Sequence, residues 1–137
     1  MTFTAKELEY LDAQMLGRLA TVAPDGTVQN SPVGFFVNAD GTIDIGGTRM
    51  GETKKFANVK ANPKVSLVVD DLASRDPWTV HGVEIRGEAE ALEDADPPME
   101  WFTRQVIRIH PKRIISWGLG GSMRPTGRNV ASATNGS

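Results

Sequence analysis

Short stretches of alternating apolar and polar residues, separated by turn-forming residues, run through most of this 137-residue chain. Alternation with a period of two is typical of a strand buried on one face. The turn Pro24-Asp25-Gly26-Thr27 has a clear mechanism, because proline presets φ and glycine accepts a positive φ. The pattern predicts strands over residues 17–23, 28–37, 42–46, 64–71 and 80–91, and a final strand or hairpin over 106–109 and 114–117. The first three strands form two successive hairpins, which predicts a meander.

Three helices are predicted. Thr4 and Glu7 form a capping box, in which each side chain can accept a hydrogen bond from the other's backbone N–H. Apolar residues at helical spacing follow, which predicts a helix over residues 4–14. A second helix is predicted over 53–61, where Asn62-Pro63 ends it. A third is predicted over 96–104, with proline at its start.

The last part of the chain has a different composition. From Leu119 onward it is dominated by Gly, Ser, Arg, Asn and Thr, with little that could pack against a core. We therefore expect one domain over residues 1–118 and a flexible C-terminal tail over 119–137. Six antiparallel strands with helices at the ends predict a mainly β fold. A barrel is favoured over a sandwich because closure leaves no exposed strand edges, although composition alone does not decide between them.

Composition excludes several classes of function. The net charge of −2 and the pI near 5.7 give no basic field that would attract nucleic acid. Cysteine is absent, which excludes disulfides and thiolate metal sites. No apolar run approaches the roughly 20 residues of a transmembrane helix. Residues 1–4 lack the features of a signal peptide, so we expect a cytoplasmic protein with no membrane partner.

The most unusual segment spans residues 46–63. Gly46 and Gly47 end a strand, and Lys54 and Lys55 then lie in the first turn of the second predicted helix. Helix N-termini carry the positive end of the macrodipole and normally disfavour cations. Lysines placed there, after glycines that leave backbone N–H groups free, indicate an anion site, and phosphate is the obvious anion.

The residues of this segment have a simpler interpretation as well, and so do Ser31, Pro32, Trp78 and Trp117 elsewhere in the chain. Lys54 and Lys55 would then be a solvated helix face, and Arg49 would pair with Glu52 or Asp44. The Gly46-Gly47 pair would be only a tight turn. Ser31-Pro32 would be an edge-strand interruption, because proline cannot donate to a strand ladder. Trp78 and Trp117 would anchor a dimer interface, a role that tryptophan often takes.

Several short motifs, spread over residues 4–118, together resemble those of a known family. In chain order they are Gly17-Arg18-Leu19-Ala20-Thr21-Val22, Pro24-Asp25-Gly26-Thr27-Val28-Gln29, Ser31-Pro32-Val33, Lys55-x-x-Asn58-Val59, Asn62-Pro63-Lys64-Val65 and Arg113-Ile114-Ile115-Ser116-Trp117. Together they resemble the pyridoxamine 5′-phosphate oxidase-like split β-barrel family. Three further runs resemble an actinobacterial branch that uses coenzyme F420, a deazaflavin: Val68-Val69-Asp70-Asp71-Leu72-Ala73-Ser74, Asp76-Pro77-Trp78 and Ile107-Arg108-Ile109-His110-Pro111.

The resemblance implies a homodimer with the cofactor in a groove at the dimer interface. It implies a six-stranded antiparallel split β-barrel with short flanking helices. The cofactor phosphate would be bound by Thr48, Arg49, Lys54 and Lys55. The ring would be lined by Ser31, Pro32, Val33, Gly46 and Gly47, with Trp78 and Trp117 on the second subunit's side of the groove. The cofactor would be F420, with FMN as the alternative.

Other catalytic arrangements are absent from the sequence. His81 and His110 are the only histidines, and neither has a partner at metal-ligand spacing. There is no Ser–His–Asp arrangement, P-loop or dinucleotide-binding fingerprint. A sequence without a recognisable set of catalytic side chains fits an enzyme whose cofactor is the reactive species.

The resulting hypothesis is an oxidoreductase that passes hydride from reduced F420 to an electrophilic small molecule. The catalytic residues and the proton donor are unassigned. An FMN-binding flavoprotein of the same fold and a non-catalytic flavin- or haem-binding module are the alternatives. The arginine- and histidine-rich substrate residues expected of a true pyridoxamine phosphate oxidase are missing, which disfavours that activity.

Overall fold

The computed structural model describes residues 2–120 and 123–131. Within them, one antiparallel sheet contains eight strands: β1 Gly17–Val22, β2 Val28–Val33, β3 Phe36–Val37, β4 Ile43–Ile45, β5 Lys64–Arg75, β6 Trp78–Leu92, β7 Val106–Trp117 and β8 Thr126–Asn129. The helices are α1 Ala5–Asp12 and α2 Lys54–Ala61, and a short 3₁₀ helix, Met50–Glu52, precedes α2. The described part of the chain has no helix long and apolar enough to cross a membrane.

The sheet is a curled, incompletely closed barrel. Its strand order is β2-β1-β5-β6-β7-β4-β3, and β8 pairs with residues 113–116 of β7, beyond the residues of β7 that pair with β4. Consecutive strands β2 and β3 therefore lie at opposite edges of the sheet, and the chain passes between them at Gly34 and Phe35. The predicted strand over 28–37 is thus two strands, and the predicted meander is wrong. The mainly β split barrel is confirmed, with two short strands beyond the six predicted.

The interior of the barrel is filled by the inward faces of its long strands. Leu67, Ile85 and Ile114 lie in register on β5, β6 and β7, and all three are fully buried. Phe56 of α2 closes one end and is 2% exposed. Alternation of buried and exposed residues along β5 places Val65, Leu67 and Val69 inside and leaves Lys64 in solvent, as expected for a half-buried strand.

Both helices begin where the sequence predicts. The Thr4 hydroxyl accepts the Glu7 N–H at 3.1 Å, and the Glu7 carboxylate accepts the Thr4 N–H at 3.0 Å, so the capping box is confirmed. At α2, the Thr53 hydroxyl caps the helix by accepting the Phe56 N–H at 3.3 Å. Buried Asn58 then joins α2 to the sheet, because its amide donates to Thr21 Oγ1 at 3.0 Å.

The predicted helix over 96–104 is absent. The backbone of this segment finds partners elsewhere: the Thr103 N–H donates to the Gly47 carbonyl at 2.9 Å, and the Ala95 N–H donates to the Arg104 carbonyl at 2.9 Å. The Arg104 side chain is paired with Asp94 and Asp96. These contacts shape residues 93–105 into an irregular loop over the end of β4. The tertiary contacts therefore override the local helix signals.

The final predicted strand or hairpin is one strand, β7, which continues through His110 and Pro111. A β-bulge accommodates the proline, since Gly87 pairs with Pro111 while Arg86 pairs with Arg113. Bulges and edges are where a strand tolerates a residue without an N–H.

The segment expected to be a mobile tail contains β8, which pairs with β7 over residues 113–116. Leu119 and Val130 also pack against the core. The expectation that nothing beyond residue 118 packs is therefore wrong for the described residues of this segment. Residues 121, 122 and 132–137 of the expected tail lie outside the described part.

Candidate functional site

The segment from β4 to α2 presents the cations that the sequence singles out. Thr48, Arg49 and Lys54 are exposed and Lys55 is half-buried. The first turn of α2 contains no acidic residue. Among residues 2–120 and 123–131, neither lysine forms a salt bridge. Two lysines without a salt bridge thus lie at the positive end of a helix dipole, with Asp25 attracting Lys54 from beyond salt-bridge distance. This is the electrostatic setting for binding an anion.

Arg49 is engaged with Glu52. Its Nη2 lies 2.7 Å from Glu52 Oε1, and both side chains are mostly exposed. Asp44, the other proposed partner, is buried and is bound by Arg108, whose Nε and Nη2 donate at 2.8 and 3.0 Å. Exposed ion pairs contribute only about 0–1 kcal/mol, so breaking the Arg49–Glu52 pair would cost little free energy.

The two glycines of the turn have different surroundings. A Cβ added to Gly46 would lie 2.8 Å from Phe102 Cδ2 and 3.2 Å from Pro98 Cδ, so the loop over β4 needs the absence of a side chain there. A Cβ added to Gly47 would meet nothing within 4 Å. Packing inside the protein thus explains Gly46, whereas Gly47 has an open face. Its carbonyl is occupied by the Thr103 N–H and hydroxyl, at 2.9 and 3.3 Å.

The segment Ser31-Pro32-Val33 ends β2 on an edge of the sheet. Pro32 is exposed and pairs in register with Arg18, without a bulge. Val33 is buried in the core. The Ser31 Oγ is buried and makes no hydrogen bond, alone in this among the buried side-chain polar atoms of the described residues. Buried polar groups almost always have a partner, and an exception calls for an explanation such as an absent ligand.

The two tryptophans lie far from the turn that follows β4. Ile45, just before Gly46, pairs with Ile107, and Trp117 lies ten residues further along β7, roughly 33 Å of strand. Trp117 covers Gly82, where an added Cβ would lie 2.3 Å from its ring. Trp78 is 67% exposed near the tip of the β5–β6 hairpin. One protomer therefore does not bring these tryptophans to the glycine turn.

Sequence reasoning missed a polar cluster beside Trp117. The Tyr10 hydroxyl donates its one proton to Asp71 Oδ1 at 2.5 Å and also lies 3.2 Å from the His81 carbonyl oxygen. The Tyr10 and His81 rings meet edge to face. Burial first, and then the hydrogen bond to Asp71, raises the pKa of Tyr10. Tyr10 is 61 positions from Asp71 and 71 positions from His81 in the sequence, so no local pattern signals these contacts. No group of three potential metal ligands occurs among the described residues.

Comparison with known proteins decides the family. The family model of pyridoxamine 5′-phosphate oxidase matches residues 3–130. The chain belongs to this family. It is 46% identical over 125 residues to a 5a,11a-dehydrotetracycline/5a,11a-dehydrooxytetracycline reductase of Streptomyces rimosus, over 90% of this chain and 88% of the relative.

Two solved structures show the same fold. One is described as an F420 reductase, with 26% identity, a TM-score of 0.59 and coverage of 77% of this chain and 93% of that one. The other is a conserved hypothetical protein of Mycobacterium tuberculosis, with 23% identity, a TM-score of 0.70 and coverage of 96% and 94%. The reductase relative and the family fold together support an oxidoreductase.

Proposed function

We propose that this protein is an oxidoreductase that transfers hydride from reduced coenzyme F420 to an electrophilic small molecule. Two comparisons support the proposal: the 46% identical relative is a reductase, and a structure with 26% identity is described as an F420 reductase. The structural observation that carries the proposal is that two lysines without a salt bridge, Lys54 and Lys55, lie at the start of α2.

The basic residues would bind the phosphate part of the cofactor. Lys55 is half-buried, so its charge is less screened by water than that of exposed Lys54. Arg49 and Thr48 lie on the same connection and add a guanidinium and a hydroxyl. Hydrogen bonds from such cations to a phosphate are charge-assisted and about twice as strong as neutral ones.

The ring would lie against the edge of β2 and the open face of Gly47. The buried Ser31 Oγ, which has no partner in the protein, fits a polar atom of a bound ring. Pro32 presents no N–H there, so this edge can accept a flat ring without leaving a strand donor unpaired. When bound, the cofactor supplies a hydride, and the protein's contribution is to bind it, orient it and exclude water.

The site would be completed by a second copy of the chain. Because Trp117 lies roughly 33 Å along β7 from the residue paired with Ile45, Trp117 and Gly47 would line one ring only from different protomers. Trp78 is 67% exposed, which would suit a tryptophan that becomes buried at a protein interface. We propose a homodimer with its cofactor groove at the interface.

We assign no general acid among the described residues of the proposed cofactor site. The proton that accompanies the hydride would then come from solvent or a bound water. This arrangement leaves substrate choice to the walls of the groove.

Cofactor titrations test the proposal. Purified protein is mixed with F420 or FMN, and the dissociation constants are measured from cofactor fluorescence. F420 should bind more tightly, and tighter FMN binding would make the protein an FMN flavoprotein of the same fold. Turnover of reduced F420 is then followed with 5a,11a-dehydrotetracycline, enones, quinones and tetrapyrroles. Binding without oxidation across this panel would indicate a non-catalytic module.

A further inference from the structure

An open groove of about 1200 Å³ lies between α1 and the β3–β4 hairpin. Leu8, Leu11 and Met15 line it from the α1 side, and Phe35, Phe36 and Met99 line it from the other. Ligand sites in proteins are typically about 300–1,000 Å³ and mostly apolar, so this groove is large enough for a polycyclic molecule. Met15 is 85% exposed, which leaves a flexible apolar side chain in water at the groove mouth.

The charged residues of this groove all have one sign. They are Glu9, Asp12 and Asp40, and no lysine or arginine lines it. In the described part of the chain, Glu9 and Asp12 form no ion pair. Asp40 accepts hydrogen bonds from the Thr42 N–H and hydroxyl, at 3.0 and 2.6 Å, which hold its pKa below the ordinary value. The groove is therefore lined by three carboxylates and by no lysine or arginine, and Arg108, outside the lining, also attracts Asp40.

This groove is distinct from the cofactor site proposed above. None of Arg49, Lys54, Lys55 or Ser31 lines it. A cofactor that carries phosphate would be repelled by the carboxylates. The two surfaces thus favour ligands of opposite charge.

We propose that the groove binds an apolar organic cation, such as a protonated polycyclic aromatic amine. The apolar floor removes the ring surface from water, at about 25 cal/mol for each Å² buried. Phe35 and Phe36 line the groove, and an aromatic ring attracts a cation that lies over its face. The carboxylates neutralise the charge, and their attraction is strongest at low ionic strength.

A matched pair of dyes tests the charge preference. At pH 7, 9-aminoacridine is a cation and acridine is neutral, while their ring systems are the same. Each is titrated into the full-length protein without cofactor, and binding is measured by dye fluorescence. The cation should bind about tenfold more tightly at low salt, and the difference should shrink at high salt. Equal affinities at low salt would overturn the proposal.

Variants locate the site. The double variant Glu9→Gln/Asp12→Asn should reduce the preference for the cation to a few-fold. Glu88→Gln, which removes an exposed carboxylate outside this groove, should leave the preference unchanged. Met15→Ser should weaken the binding of both dyes equally, because it removes apolar surface and changes no charge. A double variant that binds both dyes like the parent would refute the assignment.

The chain's own C-terminus is the competing occupant, because Val130 and Ala131 line the groove and six residues follow. A protein truncated after Ala131 is compared with the full chain. Unchanged dye affinity supports the proposal. If the cation binds only after truncation, residues 132–137 block the groove in the full chain and the proposal fails. These titrations use no cofactor and no turnover, so they are independent of the proposed hydride transfer.

Discussion

Arg128 of β8 donates two hydrogen bonds to the carboxylate of Glu7, at 2.7 and 2.8 Å, and a third to the Thr2 carbonyl at 2.7 Å. Glu7 is 2% exposed and at the same time caps the first turn of α1. One buried carboxylate thus joins the N-terminal helix to a strand 121 residues away. Together with the pairing of β8 with β7 and the packing of Val130, this ion pair fixes a polar segment near the C-terminus.

The first prediction concerns this ion pair. Arg128→Ala leaves the buried Glu7 carboxylate without its counter-ion, so we expect the free energy of unfolding to fall by about 1–3 kcal/mol. Urea denaturation followed by tryptophan fluorescence measures it. Arg75→Ala is the control, because Arg75 is exposed and forms no ion pair within the described residues. Equal stability of the two variants would contradict the prediction.

The second prediction concerns pH. Burial acts to raise the pKa of Glu7, but the hydrogen bonds from Arg128 and from the Thr4 N–H outweigh it, and the pKa lies below its ordinary 4.5. A lowered carboxyl pKa contributes stability that is present above pH 4.5 and lost as the pH falls through the folded-state value. The stability difference between the parent and Arg128→Ala should therefore shrink below about pH 4.5. A difference that stays constant down to about pH 3 would exclude this role for Glu7.

The third prediction tests the phosphate site. Lys55→Ala should weaken F420 binding by about 1–3 kcal/mol, because it removes a charge-assisted contact. Lys60→Ala is the matched control on the same helix, since Lys60 is paired with Glu93. Fluorescence titration gives both dissociation constants. Unchanged binding by Lys55→Ala would make Lys55 part of a solvated helix face.

The fourth prediction is that replacing Ser31 by alanine lowers cofactor affinity without lowering the stability of the protein. Ser31→Ala removes a buried hydroxyl with no partner, so stability should stay the same or rise by up to about 1 kcal/mol. Cofactor affinity should fall several-fold. Ser66→Ala is the contrasting variant, because its hydroxyl donates to Glu84 at 2.9 Å and its loss should lower stability by about 1 kcal/mol. A clear loss of stability in Ser31→Ala would show that the hydroxyl has a partner in the protein.

The fifth prediction separates the two glycines. Gly46→Ala should lower stability by about 1–3 kcal/mol, because its Cβ would overlap Phe102. Gly47→Ala should leave stability unchanged, since neither glycine has a positive φ and a Cβ added to Gly47 would meet nothing within 4 Å. A weaker cofactor affinity in Gly47→Ala would support its place beside the ring. Thermal unfolding and F420 titration of both variants provide the measurements.

Local pattern predicted the individual elements well. The alternation in β1 and β5, the Thr4–Glu7 capping box and the stop of α2 at Asn62 are all set by neighbours a few residues apart. Strand order was not predictable in the same way. It depends on pairs such as Asp44 with Arg108, which lie 64 residues apart and meet only in the closed fold.

The candidate site was predictable to the same limited extent. The lysines of α2 stand out because they oppose a helix dipole, which is a local property. The packing of Phe102 against Gly46 and the capture of Asp44 by Arg108 are tertiary contacts, and no spacing in the sequence signals them. Composition likewise gave no sign of β8, because its pairing with β7 and the Arg128–Glu7 ion pair are contacts between distant parts of the sequence.

The position of β4 at the far side of β7 has a consequence for how the chain folds. Strands β5, β6 and β7 follow one another and pair as neighbours, so we expect them to form first. β4 joins β7 only after a loop of some sixty residues has closed, and that loop contains Gly47, Arg49 and Lys55. The residues proposed to bind phosphate thus reach their final positions late in folding, and an anion bound there would act on the last step of assembly.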